Sequence, residues 1–227
     1  MIGQKNVFIF IGPPGSGKGS LSQQCIKKLG WKQLSTGALC RKHINEQTEI
    51  GKKIDFAIKS GKLIADELIV SMVQDWLINN SHFFNALILD GFPRTVAQAE
   101  ALHKFLFEKI DSYRLNIIRL FISDEVVMRR LAGRLVCKNN DCQAVYSVLC
   151  GSLGPIEAMT CDKCSDQLVR RNDDVLTAIC DRLKTYHSHE KPLIEFYSKN
   201  GFVVNEVNVE KPLNQVFEEF QILINRG

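Results

Sequence analysis

The 227-residue chain is predicted to fold as an α/β protein with a parallel β-sheet that helices cover on both faces. Short, continuous apolar segments alternate with stretches of helical periodicity, which is the pattern of βαβ units. The clearest apolar segments are NVFIFI at residues 6–11 and ALILD at residues 86–90. The glycine-rich stretch GPPGSGKGS, residues 12–20, directly follows the first of them. A strand, a glycine-rich loop and a helix in this order favour phosphate binding.

In the first half of the chain, residues 6–11 and 86–90 are predicted strands, because uniformly apolar segments suit a parallel sheet buried on both faces. Boundary residues mark the helices: the first stops at Gly30, Asp66 precedes the fourth, and Thr95 caps the fifth. The predicted helices are at residues 18–29, 38–44, 51–59, 67–79 and 96–110.

The second half continues this alternation but contains an interruption. Residues 115–122 form a third predicted strand, and Asp124 is predicted to cap a helix that runs to about Arg134. From residue 135 to about residue 169, Gly, Pro, Asn and Cys residues and short alternating stretches predict a small β-rich insert. The last predicted elements are a helix at residues 174–199 that bends near Pro192, a strand at 201–207 and a helix at 212–225.

The composition excludes several classes of protein. Apolar residues make up 45% of the chain and charged residues 24%, and no apolar run is long enough to span a membrane. The net charge of +4 suits a protein that handles anions such as nucleotides but is too small to indicate nucleic-acid binding. The N-terminal residues lack an apolar signal region. We therefore expect a cytoplasmic monomer without a membrane or nucleic-acid partner.

The glycine-rich loop departs at one position from the common phosphate-binding pattern G-x-x-x-x-G-K-[ST]. Gly12, Gly17 and Lys18 are in register, but Gly19 replaces the expected magnesium-binding Ser or Thr, and Ser20 comes one residue late. In such loops, backbone N–H groups close around phosphate oxygens and the lysine adds a full charge. A turn that merely opens a helix is the alternative; the strand context, the lysine and the spacing favour phosphate binding.

A second motif, DGFPRTVAQAE at residues 90–100, begins where a predicted strand ends. Asp90 is therefore expected at the sheet edge where open α/β folds bind ligands. A carboxylate there can hold magnesium directly or through water, which would replace the hydroxyl missing at Gly19. Considered alone, Asp90 is equally suited to cap a turn or a helix.

Taken together, the motifs resemble those of adenylate kinases, in order and over essentially the whole chain. In that family the loop normally contains Gly-Lys-Gly-Thr, so Gly19 followed by Ser20 nearly matches the family's own pattern. The further matching motifs are STG at 35–37 with Arg41, GKLIADE at 61–67, RLAGRLVC at 130–137, RRNDD at 170–174 with Arg182, and KPLIEFYSKNG at 191–201.

The resemblance implies a P-loop NTPase-type three-layer sandwich with a five-stranded parallel sheet, a helical insert that binds a nucleoside monophosphate, and a β-rich zinc lid. The implied core comprises residues 1–35, 67–134 and 172–227, the insert residues 36–66, and the lid residues 135–171. The implied activity is reversible, magnesium-dependent phosphoryl transfer from ATP to AMP, giving two ADP. Such a reaction needs many cations, for which arginine is well suited, but no strong base.

The resemblance also implies roles for individual residues, with Asp90 holding magnesium through water and Gln98 contacting the adenine of AMP. The implied ATP-binding residues are Gly15, Ser16, Gly17, Lys18, Gly19, Ser20, Arg134, Val145, Tyr146 and Lys211. The implied AMP-binding residues are Thr36, Arg41, Lys62, Leu63, Ile64, Gly91, Phe92, Pro93, Arg94, Gln98, Arg171 and Arg182. The implied catalytic residues are Lys18, Asp90, Arg94, Arg130, Arg134, Arg171 and Arg182.

The chain also departs from the family pattern. Ala38 and Ala65 replace an aspartate and a proline, and Asn208-Val209 replaces the Asp-Gly that follows the last strand. A glycine after the last strand would let the backbone approach the base of the phosphoryl donor closely. Because Val209 stands there instead, GTP is an open alternative to ATP as the donor. Gln98 favours AMP as the acceptor.

Clustered cysteines predict a metal site in the insert. Cys137 and Cys142 form a C-x4-C pair and Cys161 and Cys164 a C-x2-C pair, which together suit a tetrahedral structural zinc site. Cys150 is the alternative to Cys142, and free, partly buried cysteines are the alternative to a metal site. The cysteines predicted to be small buried apolar residues are Cys25, Cys40 and Cys180.

A nucleotide-switched module, in which a zinc ribbon contacts nucleic acid, is the more distant functional alternative. The insert is not notably basic and has no aromatic residue besides Tyr146. Its composition therefore does not favour nucleic-acid binding.

Overall fold

The computed structural model describes residues 5–59, 64–80, 84–109, 113–139, 142, 144–149 and 154–225. Its strands are β1 (Lys5–Ile11), β2 (Lys32–Ser35), β3 (Ala86–Asp90), β4 (Tyr113–Phe121), β5 (Arg134–Cys137), β6 (Val145–Ser147), β7 (Leu168–Val169) and β8 (Val204–Asn208). Its α-helices are α1 (Lys18–Leu29), α2 (Thr36–Asn45), α3 (Glu49–Lys59), α4 (Asp66–Asn80), α5 (Val96–Lys109), α6 (Asp124–Ala132), α7 (Leu176–Lys199) and α8 (Leu213–Asn225). A 3-10 turn at Asn172–Asp174 precedes α7.

Five parallel strands form the central sheet, in the order β2-β3-β1-β4-β8. The five-stranded sheet is confirmed, but the apolar pattern does not predict β2. The sequence of β2, KQLS, is mostly polar, and of its side chains only Leu34 is buried. An edge strand has a neighbour on one side only, so it does not need the apolar runs that mark the central strands β1 and β3, at residues 7–11 and 86–89.

Side chains of β1 alternate between two hydrophobic cores, one on each face of the sheet. Val7 and Ile9 belong to a cluster shared with α4, α5 and α7, whereas Phe8 and Phe10 belong to a cluster shared with α1 and α8. Successive strand residues point to opposite faces, so a uniformly apolar strand must be covered on both. This arrangement is the predicted three-layer sandwich.

A second, three-stranded antiparallel sheet in the order β6-β5-β7 forms the small β-rich module predicted after residue 134. Because α6 ends at Ala132, Arg134 begins β5 instead of ending the helix as predicted. The buried cluster of this module consists of Leu135, Cys137, Ala144, Cys161 and Leu168.

Of two predicted helix caps, the structure confirms one and contradicts the other. Thr95 caps α5 as predicted, since its Oγ1 accepts a hydrogen bond from the backbone N of Gln98 at 3.2 Å. The cap predicted at Asp124 is wrong, because Ser123 occupies the N-cap position of α6. The Ser123 backbone N and Oγ both donate to Glu210 Oε1 at 2.8 Å, which ties the start of α6 to the segment after β8.

The three cysteines predicted to be apolar core residues differ in burial. Cys25 and Cys40 are buried, and Cys180 is half-buried. Within the residues that the structure describes, no helix combines the length and the apolarity that a bilayer crossing requires.

Candidate active site

The glycine-rich loop connects the carboxyl end of β1 to α1 in a conformation that requires glycine. Gly15 and Gly17 have φ angles of +79° and +92°, a region that residues with a side chain rarely adopt. Gly17 is the N-cap of α1, and no side chain accepts a hydrogen bond there. The N–H groups of the first turn are therefore available to an anion, and the helix dipole adds positive potential at the same point.

Lys18 lies over this loop. Its Nζ donates hydrogen bonds to the carbonyl oxygens of Gly12 at 2.7 Å and Pro13 at 2.8 Å. Burial lowers the pKa of Lys18 to about 8; Asp90 opposes this change, while Arg94 and other arginines add to it. The ammonium group therefore lies in a desolvated, cationic environment that a bound polyanion would relieve.

Asp90 lies beside the loop position that lacks a hydroxyl group. A Cβ built on Gly19 would be 3.8 Å from Asp90 Oδ2, so the carboxylate lies next to the place where the common loop carries Ser or Thr. Gln33 Nε2 donates to the same Oδ2 at 3.0 Å and thereby orients the carboxylate. Sequence reasoning missed Gln33, because its strand β2 was not predicted.

Two aspartates at the end of the small β-module hold two of the predicted arginines. Arg134 donates from Nε and Nη2 to both carboxylate oxygens of Asp174, at 2.7 and 2.5 Å. Arg182 Nη1 lies 2.9 Å from Asp173 Oδ2 and 3.4 Å from Asp174 Oδ1. Asp173 and Asp174 therefore orient Arg134 and Arg182.

Arg130 connects the loop to the segment after β8. Its Nη2 donates to the carbonyl oxygen of Val209 at 2.7 Å, and its Nη1 to that of Ser16 at 3.4 Å. The Val209 side chain is buried in the core cluster that α1 and α8 share. The Val209 side chain therefore packs in the core and does not occupy the surface beside the loop.

The arginines predicted at the site lie close enough together to shift one another's pKa values. Burial, together with the charges of Arg134 and Arg41, lowers the pKa of Arg171 to about 10, while Asp173 and Asp174 oppose this change. Burial likewise lowers the pKa of Arg182, which Asp173 raises again and Arg134 lowers. Cations from α2, the β-module and α7 thus face the same region, where they repel one another unless an anion is bound.

Thr36, Arg94 and Gln98 gather around the turn between β3 and α5. Thr36 Oγ1 and Arg94 Nε both donate to the carbonyl oxygen of Gly91, at 2.9 and 2.8 Å. Gln98 is buried and accepts a hydrogen bond from the Arg94 backbone N at 2.8 Å. Phe92 and Pro93 are buried and Ile64 is half-buried, whereas Lys62 and Leu63 lie outside the described residues.

Tyr146 and Lys211, which the resemblance assigns to ATP binding, have partners outside the loop. Tyr146 Oη accepts a hydrogen bond from the Asp162 backbone N at 2.9 Å within the β-module, and Val145 is half exposed. Lys211 forms an ion pair with Glu219 of α8. The structure therefore brings together the loop, Asp90 and the arginines, while Tyr146 and Lys211 have partners in the β-module and in α8.

Four cysteine Sγ atoms, those of Cys137, Cys142, Cys161 and Cys164, lie within 4.8 Å of one another. The distances are 3.4 Å between Cys137 and Cys164 and 3.7 Å between Cys142 and Cys161. A tetrahedral site with Zn–S bonds of about 2.3 Å has S···S separations of about 3.8 Å, so the four thiols fit such an ion. Cys142 is in the cluster as predicted; Cys150 lies outside the described residues.

Comparison with known proteins gives consistent matches. A model of the family described as Adenylate kinase matches residues 10–202. A protein of Treponema denticola named adenylate kinase is 39% identical over 94% of this chain and 97% of its own length. Proteins with the same name from Methanothrix thermoacetophila and Archaeoglobus fulgidus are 35% and 36% identical, each over 96% of this chain and over 98% and 97% of their own lengths. The similarity therefore extends over nearly the full length of each pair.

Proposed function

Since the chain belongs to the adenylate kinase family, we propose that it catalyses reversible phosphoryl transfer from ATP to AMP, giving two ADP. The observation that carries this proposal is the placement of Lys18 and arginines from three parts of the chain around one loop. The relatives favour neither a GTP-dependent enzyme nor a nucleic-acid-binding module. A cytoplasmic location and a monomeric state are part of the proposal.

The proposed division of labour follows the three parts of the chain. The core is residues 1–35, 67–134 and 172–227, the AMP-binding insert residues 36–66, and the lid residues 135–171. The proposed ATP-binding residues are Gly15–Ser20 of the loop together with Arg134, Val145, Tyr146 and Lys211, as the resemblance implies. The proposed AMP-binding residues are Thr36, Arg41, Lys62, Leu63, Ile64, Gly91, Phe92, Pro93, Arg94, Gln98, Arg171 and Arg182.

The chemistry requires charge neutralisation and alignment. The attacking phosphate oxygen of AMP is already an anion, so no strong base is needed. The chain's own residues bring two anions together, with Lys18 on the ATP side and Arg94 on the AMP side. Arg134 uses two of its five N–H donors on Asp174 and can meet a phosphate with others without leaving its partner. The aspartates thus hold the arginines ready for phosphate.

Magnesium is the proposed ion at Asp90. The absence of a side chain at Gly19 leaves space beside the carboxylate, and Gln33 engages one of the two carboxylate oxygens. The hard oxygen ligand suits magnesium, which retains waters in such sites. When bound, magnesium supplies neutralisation of the charge on the phosphates that are being transferred.

Zinc is the proposed ion at Cys137, Cys142, Cys161 and Cys164. The thiolate set and the S···S distances support a closed structural site without an open coordination position. The lid has a small core, so we expect the metal to stabilise its fold and to take no part in chemistry on the substrate.

The proposed function is tested by initial rates with magnesium, crossing ATP and GTP with AMP, GMP, CMP and UMP. We expect the initial rate with ATP and AMP to be much higher than the rate with any other pair. GTP with AMP ahead would instead assign GTP as the donor. No transfer from any pair by folded protein would contradict the kinase proposal, and salt-dependent RNA or DNA binding would then support the nucleic-acid module.

Replacing Asp90 with asparagine should raise the magnesium concentration needed for half-maximal activity about tenfold or more, because the carboxylate charge is lost while its shape is kept. The measurement is the rate of ADP formation against free magnesium at saturating nucleotides. Asp75→Asn, on the exposed side of α4, is the control and should match the wild type. An unchanged magnesium dependence in Asp90→Asn would remove Asp90 from the metal site.

A further inference from the structure

Asp66, the first residue of α4, connects that helix to the first turn of α5 through both of its carboxylate oxygens. Oδ1 accepts a hydrogen bond from Gln98 Nε2 at 2.6 Å, and Oδ2 accepts one from Thr95 Oγ1 at 2.6 Å. Gln98 is only 4% exposed. These contacts therefore decide how a buried amide presents its remaining donor and acceptor.

The Gln98 amide is held from both ends. Its Nε2 donates to Asp66, and its Oε1 accepts from the backbone N of Arg94 at 2.8 Å. A carboxylate can only accept and a backbone N–H can only donate, so just one orientation of the amide satisfies both partners. Turning the amide by 180° would lose both hydrogen bonds and place like groups against each other.

From this arrangement we infer that Asp66 is a positioning residue that makes the Gln98 amide select the acceptor base. The inference rests on the proposed function, in which Gln98 contacts the base of AMP. One N–H and one oxygen lone pair of the amide remain for that contact. Adenine presents an amino donor beside a ring-nitrogen acceptor, which matches this pair.

Bases with a 6-oxo group present the reverse pattern. Hypoxanthine and guanine offer a carbonyl acceptor beside a ring N–H donor. A glutamine free to turn round would satisfy either pattern, whereas an amide fixed by Asp66 and the Arg94 backbone satisfies only the adenine pattern. Discrimination then arises because the wrong base leaves buried polar groups unpaired.

The test is Asp66→Asn, which keeps the shape but lets position 66 offer either oxygen or NH2 to Gln98. We expect the ratio of kcat/KM for AMP to kcat/KM for inosine 5′-monophosphate, at saturating ATP, to fall about tenfold or more. The change should lie in KM, higher for AMP and lower for the inosine nucleotide, with kcat for AMP nearly unchanged. Inosine monophosphate is the suitable probe because it differs from AMP only at this edge of the base.

Asp124→Asn is the matched control, since Asp124 is also the first residue of an α-helix and lies outside the proposed site. It should leave the ratio unchanged. The inference would be overturned if Asp66→Asn also left the ratio unchanged, or lowered kcat/KM equally for both acceptors. Either result would show that Asp66 only stabilises the start of α4.

Equilibrium binding separates this inference from the proposed function and does not depend on the variant folding. The wild type should bind AMP about 100-fold more tightly than inosine monophosphate in calorimetric titrations. Equal affinities would overturn the inference even if phosphoryl transfer is observed. Selective binding that is lost in Asp66→Asn, without any transfer by the wild type, would uphold the inference about Asp66 and contradict the kinase proposal.

Discussion

Replacing Lys18 with methionine should lower kcat for ADP formation by about 10³-fold, because a preorganised charge next to the transferring phosphates is lost in a site shielded from water. Methionine has nearly the length of lysine but no charge and no donor. The Lys18 ammonium donates to Gly12 and Pro13 of its own loop, so it already lies over the phosphate-binding amides. The measurement is a steady-state and single-turnover rate for ATP with AMP.

Lys27→Met is the matched control, since Lys27 lies in the exposed last turn of the same helix. It should retain wild-type rates, and both variants should have wild-type circular dichroism. If Lys18→Met kept more than about a tenth of the activity, the loop lysine would contribute too little to be the charge that the mechanism requires.

The pH dependence of the wild-type reaction should report the ionisation of Lys18. Burial lowers the pKa of Lys18 to about 8 in the ligand-free protein, so the ammonium is charged below that pH and loses its proton above it. We therefore expect kcat/KM for ATP to fall as pH rises above about 8, since kcat/KM reports groups of the free enzyme. Bound phosphates favour the charged form, so kcat should hold to higher pH. A flat kcat/KM profile to pH 10 would contradict this assignment.

The second large effect is expected from Cys161→Ser. Cys161 is 1% exposed and belongs to the buried cluster of the small β-rich module as well as to the four-thiol cluster. Loss of one thiolate should abolish stoichiometric zinc binding, because metal binding and folding of so small a module are one process. Arg134 in β5 and Arg171 beyond β7 would then lose their support, so transfer should fall about tenfold or more.

Zinc content by atomic absorption and thermal unfolding by calorimetry are the measurements. Wild type treated with a strong chelator should show the same loss of stability in the small β-rich module. Cys180→Ser, at a half-buried thiol of α7 outside the cluster, is the control and should keep one zinc ion per chain. A Cys161→Ser protein with full zinc content and an unchanged transition would contradict a structural role for the cluster.

Several features follow from the sequence because short-range patterns determine them. Residues 7–11 of β1 and 86–89 of β3 are continuous apolar runs, as a strand covered on both faces requires. The glycines and the lysine at residues 12–20 predict the loop, because positive φ angles and a phosphate-facing charge need those residue types. The cysteine spacings predict a cluster of four thiols, since two tight loops bring two ligands each.

Other features depend on contacts between residues far apart in the chain. β2 has little apolar character and becomes a strand because it pairs with β3 at the sheet edge. The bonds of Gln33 to Asp90 and of Asp66 to Gln98 join residues 57 and 32 positions apart. No local pattern indicates such pairs, because packing of whole elements decides which side chains meet. The sequence alone therefore determined the kinds of residue available for the chemistry. Only the tertiary structure decided which carboxylate fixes which amide or arginine, since hydrogen bonds require a separation of about 3 Å.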